Sequence, residues 1–314
     1  MLINSEKLLT KARPKSALGK VAQFPLVRVL LVVLFLAPFV VVRNKVIGDL
    51  IAAAAEPTRS YLTYADSVLS VVLILALYAL YVRWIEKRNA FEISVKLAVP
   101  ELGIGWLLSF GIVAMMVALM WLLGYYTVDD TGTVKVVFDA LSFFGVGAFL
   151  QVLLFRLVLF RLLEELLGTW IAIVLVATIF GVAHLGNENA TVWAAITLVV
   201  TDVYMVAPFV LTRRLWMAWG VHWSWNFTQD GLFGMPNSGV TDLPSWINAS
   251  VDGPSWLTGG SFGIEASLPV VILLLGVGLF ILKIAIDKGQ IMAPVWRRPG
   301  RAFSSEDRVQ ESPL

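Results

Sequence analysis

The chain contains no cysteine. Disulfide staples, thiolate nucleophiles and cysteine-ligated zinc are therefore excluded, and any bound zinc would rest on nitrogen and oxygen donors. Charge is scarce too. Asp, Glu, Lys and Arg make up 15% of the residues, against about 25% in an average soluble protein. Histidine is scarcer still, with two residues in 314. The net charge of +2 gives no broad basic field, so no nucleic-acid partner is expected.

What is present is apolar bulk, at 58% of the residues. Eight apolar segments stand out, at about 24–42, 62–82, 103–125, 136–160, 170–186, 190–212, 215–234 and 267–286. Most approach the roughly 20 residues that cross a hydrocarbon core. The seventh is rich in Trp and interrupted by His222, Asn226 and Asp230. The expected fold is all-α, a polytopic membrane helical bundle of about eight transmembrane helices with the lipid bilayer as its partner. Residues 1–23, with Lys7, Lys11, Arg13, Lys15 and Lys20, read as a basic cytoplasmic tail. Residues 24–290 read as the bundle, and 291–314 as a second basic, polar tail. The ends, 1–20 and 298–314, are polar enough to suggest disorder. The run Phe24 to Val42 exceeds the roughly 7–15 residues of a signal-peptide core, so it reads as a retained span, although "AAAAEP" beyond it looks like a cleavage site.

Basic residues recur in alternate connections, at Arg83-Lys87-Arg88, Arg156-Arg161, Arg213-Arg214 and the C-terminal tail. Loop 43–61 is mixed. The positive-inside rule then puts both termini in the cytoplasm of a multi-pass cell-membrane protein, and a bacterial source is expected. Trp84, Trp170, Trp216, Trp246 and Trp256 fall where an aromatic belt would lie. The stretch 235–265, rich in Gly, Ser, Pro and Trp, is either a lid over the seventh segment or a plain connector. A small-solute transporter or channel is a weaker reading, since no internal repeat of the transporter kind is visible.

Both histidines, His184 and His222, fall inside apolar segments. Polar groups at that depth are costly and face the bundle interior. His184 follows Phe180 by four residues and His222 precedes Asn226 by four, so each pair shares a helix face. Singly, each histidine reads as one satisfied buried hydrogen bond. Together with Asn226 they point to a shared site. A divalent metal such as zinc on His184 and His222 is one reading, but catalytic zinc takes about three protein ligands plus water. An amide suits hydrogen bonding to a reacting oxygen better than metal ligation. Hydrolysis also needs a base, so the position of a carboxylate decides the matter. Asp66, Asp139 and Glu101 read as span-end acids. Asp230 lies eight residues after His222, and Asp202 reads as a buried partner for Arg156 or a hydroxyl. Glu164–Glu165 read as a solvated pair, with Arg161 and Glu165 at i and i+4.

"FGVAHLGN" and "GVHWSWNFTQDGLFGMPNSG" resemble the CPBP intramembrane metalloproteases, also called the CAAX-protease and bacteriocin-processing or Abi family. The resemblance covers a motif core at about 140–240. It implies a Glu-Glu-x-x-x-Arg motif on one span, Phe-x-x-x-His on the next and His-x-x-x-Asn on a later one. In that family the first Glu and first His are thought to activate water, and the later His and Asn to stabilise the oxyanion. Phe180/His184 and His222/Asn226 match. The first motif does not, because members often carry a second, ordinary acidic pair further along, followed by "LGTW"-like residues. "LLEELLGTW" looks like that second pair, which sets the motif at "QVLLFR", with Gln151 and Val152 in place of the glutamates and Phe155 and Arg156 retained. Gln keeps the reach of Glu but cannot take a proton from water. The resemblance thus implies a membrane endopeptidase whose base is missing, a pseudoenzyme that binds a membrane peptide or lipidated protein. The alternative is an active metalloendopeptidase that recruits Asp230 or Asp202. An Arg156 without its acidic partners needs another, and Asp202 is the first choice.

Overall fold

The computed structural model describes residues 2–241 and 243–298. Seven of its helices are long and apolar enough to cross a membrane by length and composition: α1 (Pro25–Ala53), α2 (Thr58–Trp84), α3 (Phe91–Leu122), α4 (Val134–Leu167), α5 (Thr169–Gly186), α6 (Val192–Thr212) and α8 (Leu268–Asp287). The expected seventh segment is helix α7 (Leu215–Asn226), continued by a π-helical turn Phe227–Leu232. It is not among the seven. Its polar residues lower its hydropathy, and it sits inside the bundle with most of its length buried. The fold is an all-α polytopic bundle, to which the α3–α4 connection and the loop before α8 add an antiparallel ribbon of β1 (Tyr126–Thr131) and β2 (Ile247–Val251).

Close backbone approach fixes α7. A Cβ on Gly220 would lie 2.2 Å from the Leu102 carbonyl oxygen, and one on Gly105 would lie 2.3 Å from that of Met217. Only glycine lets α3 and α7 meet this closely, as at other packed membrane helices. On its α4 side, α7 presents Trp219 and Trp223, which stack at 5.4 Å. Their indoles donate to the Gly145 and Leu141 carbonyls at 3.0 and 3.1 Å. These contacts fix both the depth and the rotation of the helix carrying His222 and Asn226.

One end of the bundle is tied by buried ion pairs. Glu86 faces Arg28, Arg88 and Arg161. Glu92 pairs with Arg88 at 2.7 Å and accepts from the Tyr78 hydroxyl at 2.6 Å. Glu165 binds Arg28 at 2.6 Å, Glu164 binds Arg213 at 2.5 Å, and Glu101 binds Arg214. Arg213 makes the two-residue turn between α6 and α7 in a left-handed conformation, φ +58°, uncommon for a residue with a Cβ.

Several sequence expectations are corrected here. Arg88, Arg161, Arg213 and Arg214 are buried in ion pairs and do not stand as free basic loops. Arg161 takes Glu86, and Glu165 takes Arg28, so the expected solvated i,i+4 pair does not form. Trp216 is buried and donates to the Ser94 carbonyl, so its ring faces protein and not lipid. The N-terminal stretch is ordered against the bundle. Leu8 joins the core, the Lys11 amide donates to the Glu86 carbonyl and Gln290 reaches Ile3. Its few apolar side chains dock although its mean composition is polar. The expected C-terminal disorder concerns residues 298–314, which beyond 298 lie outside the described residues.

Burial alone would push the Glu86 carboxyl up, but Arg161 and Arg88 hold it below the ordinary carboxylate range. A lowered folded-state pKa contributes stability above the unfolded value and loses it as pH falls through the folded one. We therefore expect the melting temperature in detergent to fall on acidification below the carboxylate range. Glu86→Gln, already destabilised at neutral pH, should show a shallower fall. Separately, Gly220→Ala should cost about 1–3 kcal/mol by overpacking, whereas Gly103→Ala, with nothing within 4 Å of its Cβ, should not destabilise. Thermal melts of the two variants check this.

Candidate functional site

A cavity of about 220 Å³ lies within the bundle, on the side of the membrane-depth helices away from the ion-paired end. Gln151 of α4, Phe180 and His184 of α5, and His222 and Asn226 of α7 all line it. The helical spacing read from the sequence is what brings them there. Phe180 and His184 lie one turn apart at the end of α5, and His222 and Asn226 one turn apart at the end of α7. The Phe180 ring sits between the imidazoles, with centroids 4.4 Å from His184 and 6.3 Å from His222. Two π-helical stretches border the cavity, Leu153–Phe160 just after Gln151 and Phe227–Leu232 just after Asn226. Such stretches interrupt the regular ladder and are frequent at functional sites.

His184 Nδ1 lies 2.7 Å from the Phe180 carbonyl oxygen. A carbonyl only accepts, so Nδ1 carries the proton, and Nε2 is the ring nitrogen left to face a guest. Among the described residues, no protein group hydrogen-bonds the side chains of Gln151, His222 or Asn226. Their polar atoms remain available to a guest in a buried space where polar groups ordinarily find partners.

The other sequence-named residues fall elsewhere. Arg156 is buried against Asp202 through two hydrogen bonds, one at 3.0 Å, as its loss of acidic neighbours led us to expect. Its guanidinium lies 5.9 Å from the Phe180 ring centroid, so it backs the cavity wall without lining it. Asp202 and Asp230 do not line the cavity either. Glu164 is buried, accepts from Thr169 and pairs with Arg213. It lies 13 residues beyond Gln151 along α4, roughly 20 Å at helical rise.

One acid does line the cavity, and the motif reading passed over it. Glu265 stands in a short 3₁₀ turn, Ile264–Ala266, at the end of the stretch read as a lid or connector. It is 5% exposed. Its carboxylate accepts from the Ser238 amide at 2.7 Å, the Ser238 hydroxyl at 3.0 Å and the Trp225 indole at 3.0 Å. Burial pushes its carboxyl up, against the lowering effects of Trp225, Ser238 and the nearby His184. One signal was present in the sequence. Glu265 is the only charged residue between Asp252 and Lys283. The same stretch also supplies Asn237, Ser238 and Val240 to the lining.

Catalytic zinc takes about three protein ligands. Among the described residues, no group of three or more His, Asp or Glu side chains is placed to hold a metal ion. The Glu265 oxygens face Trp225 and Ser238, and an amide is a poor third donor. The donor set therefore does not fit a resident zinc, and no step below is routed through one.

The architecture is that of a polytopic helical membrane protein with a polar cavity among its helices. Residues 133–228 match the family model described as Type II CAAX prenyl endopeptidase Rce1-like, so over that segment the chain is similar to the CPBP/CAAX-protease family. No curated protein and no solved structure matches the chain. The matched segment holds Gln151, Phe180, His184, His222 and Asn226. Glu265 lies beyond it.

The Arg156–Asp202 pair makes its own prediction. Asp202→Ala should destabilise by about 3–5 kcal/mol, because it leaves a buried guanidinium uncompensated, whereas Arg156→Met/Asp202→Leu should cost much less. Melting in detergent distinguishes the two.

Proposed function

We propose that the chain is a membrane-embedded endopeptidase that hydrolyses a peptide bond of a membrane peptide or lipid-anchored protein in this cavity. One observation carries the reading. The chain's two histidines and Asn226, uncommitted on their cavity side, converge with a carboxylate on one buried space. Water bound at His184 Nε2 would be oriented by the lone pair that a neutral ring carries there. The His222 imidazole and the Asn226 amide would donate to the carbonyl oxygen as charge develops on it, a contribution of about 3–4 kcal/mol per well-placed donor in hydrolases. The presence of Glu265 on the cavity moves the preference away from a silenced relative, since the missing base was the reason for that reading. Asp202 is tied to Arg156, and Asp230 is off the lining, so neither is the recruited acid in this proposal. We read the protein as a multi-pass cell-membrane protein with both termini cytoplasmic, supported by the basic bias of the N-terminal and C-terminal segments.

A second reading keeps the cavity but not the chemistry. It is favoured by Gln151 and Val152 standing where the family carries its glutamates. The protein would then bind a membrane peptide or a lipidated client without cutting it.

The full chain in membranes, assayed on a panel of membrane peptides, separates the two. We expect wild-type turnover that His184→Ala lowers by about 10²–10⁴, the usual scale for proton-transfer machinery. Turnover that appears only in Gln151→Glu/Val152→Glu would support the non-catalytic reading instead.

A further inference from the structure

Among the described residues, Glu265 is the one Asp or Glu that lines the cavity, and the chain around it is shaped to deliver it. Ser238 adopts φ +50°, a left-handed conformation uncommon for a residue with a Cβ, and from there both its amide and its hydroxyl reach the carboxylate. Residues held in sparsely populated conformations cluster at functional sites. Gly263, at φ +108°, passes so close to the Pro236 carbonyl that a Cβ would lie 2.2 Å away. Gly239, at φ +89°, is equally crowded by the Glu188 carbonyl. The third donor, Trp225, lies on α7 between His222 and Asn226. The segment is also tied to the end of α5, since Asn187 donates to the Ser238 carbonyl and Asn189 to that of Gly239, each at 2.9 Å. The acid is thus referenced to both histidine-bearing helices at once.

From this geometry we infer that Glu265 is a catalytic residue, the proton acceptor that replaces the glutamate absent at Gln151. The inference rests on the endopeptidase reading above. An ionised carboxylate has about four acceptor directions. Three are taken by Ser238 and Trp225, which leaves room for a water. That water would give one O–H to His184 Nε2 and the other to Glu265, with its lone pair toward the peptide carbonyl. As the water oxygen bonds to the carbonyl carbon, one water proton passes to Glu265 and the carbonyl π pair moves onto oxygen, facing His222 and Asn226. When the C=O re-forms, the C–N bond breaks and the amine nitrogen takes the proton from Glu265. The products are a free carboxyl and a free amine, and the carboxylate is restored. Burial, which raises this carboxyl toward neutrality, strengthens it as a base.

The test uses the full chain and the same peptide panel, with kcat and KM measured separately. Glu265→Gln keeps the size of the side chain and one acceptor for its anchors. It should lower kcat by about 10²–10⁴ with KM little changed. Adding Gln151→Glu to Glu265→Gln restores a carboxylate to the lining from α4 and should recover at least part of kcat. Wild-type kcat in Glu265→Gln overturns the inference and leaves the endopeptidase reading standing. A loss that Gln151→Glu does not rescue assigns Glu265 to anchoring the Ser238 loop, and also overturns it. A wild type inactive on every peptide overturns both readings.

Discussion

The structure depends on a lattice of buried arginine–glutamate pairs at one end of the bundle. Glu86 gathers Arg28, Arg88 and Arg161, while Glu164, Glu165 and Glu101 hold Arg213, Arg28 and Arg214. These contacts join α1, the α2–α3 connection, α4 and the α6–α7 turn at a common level. Each charge is costly to bury alone, so each partner constrains the other. With that end fixed, α4, α5 and α7 run to the far side in set positions, and the polar residues one or more turns along them meet in a common space. Specificity of register, more than net stability, is the role such pairs fit here.

The cavity is built on the opposite principle. At the clamped end every buried arginine and glutamate named above has a partner of opposite charge. Around the cavity, the side chains of Gln151, His222 and Asn226 lack protein partners among the described residues, and His184 spends one nitrogen on Phe180 and keeps the other. Arg156 marks the boundary between the two regimes. It is ion-paired with Asp202 yet lies against the Phe180 ring that separates the imidazoles. A charge is thereby kept near the site without entering it.

Much of this was legible in the sequence, and the reason is periodicity. Seven apolar runs of the right length gave seven of the helices, and two i,i+4 pairs gave the histidine faces. What escaped was whatever depends on distant partners. Arginines at segment ends look the same in a list whether they meet solvent or Glu86. The ribbon of Tyr126–Thr131 and Ile247–Val251 was hidden because "YTVDDT" carries two aspartates, poor strand formers, and pairs over a sequence distance that local pattern does not span. Glu265 escaped for a related reason. The search for an acid followed the spans and the motifs, whereas this one arrives from a loop folded back over α7. Only its isolation among uncharged neighbours marked it.

Glu265 and the lining residues Asn237, Ser238 and Val240 all belong to the connection between α7 and α8. Any displacement of that connection would carry Glu265, the one carboxylate lining the cavity among the described residues, away from Trp225. On the endopeptidase reading, admitting a guest past this connection and presenting the base to it are coupled through the same stretch of chain.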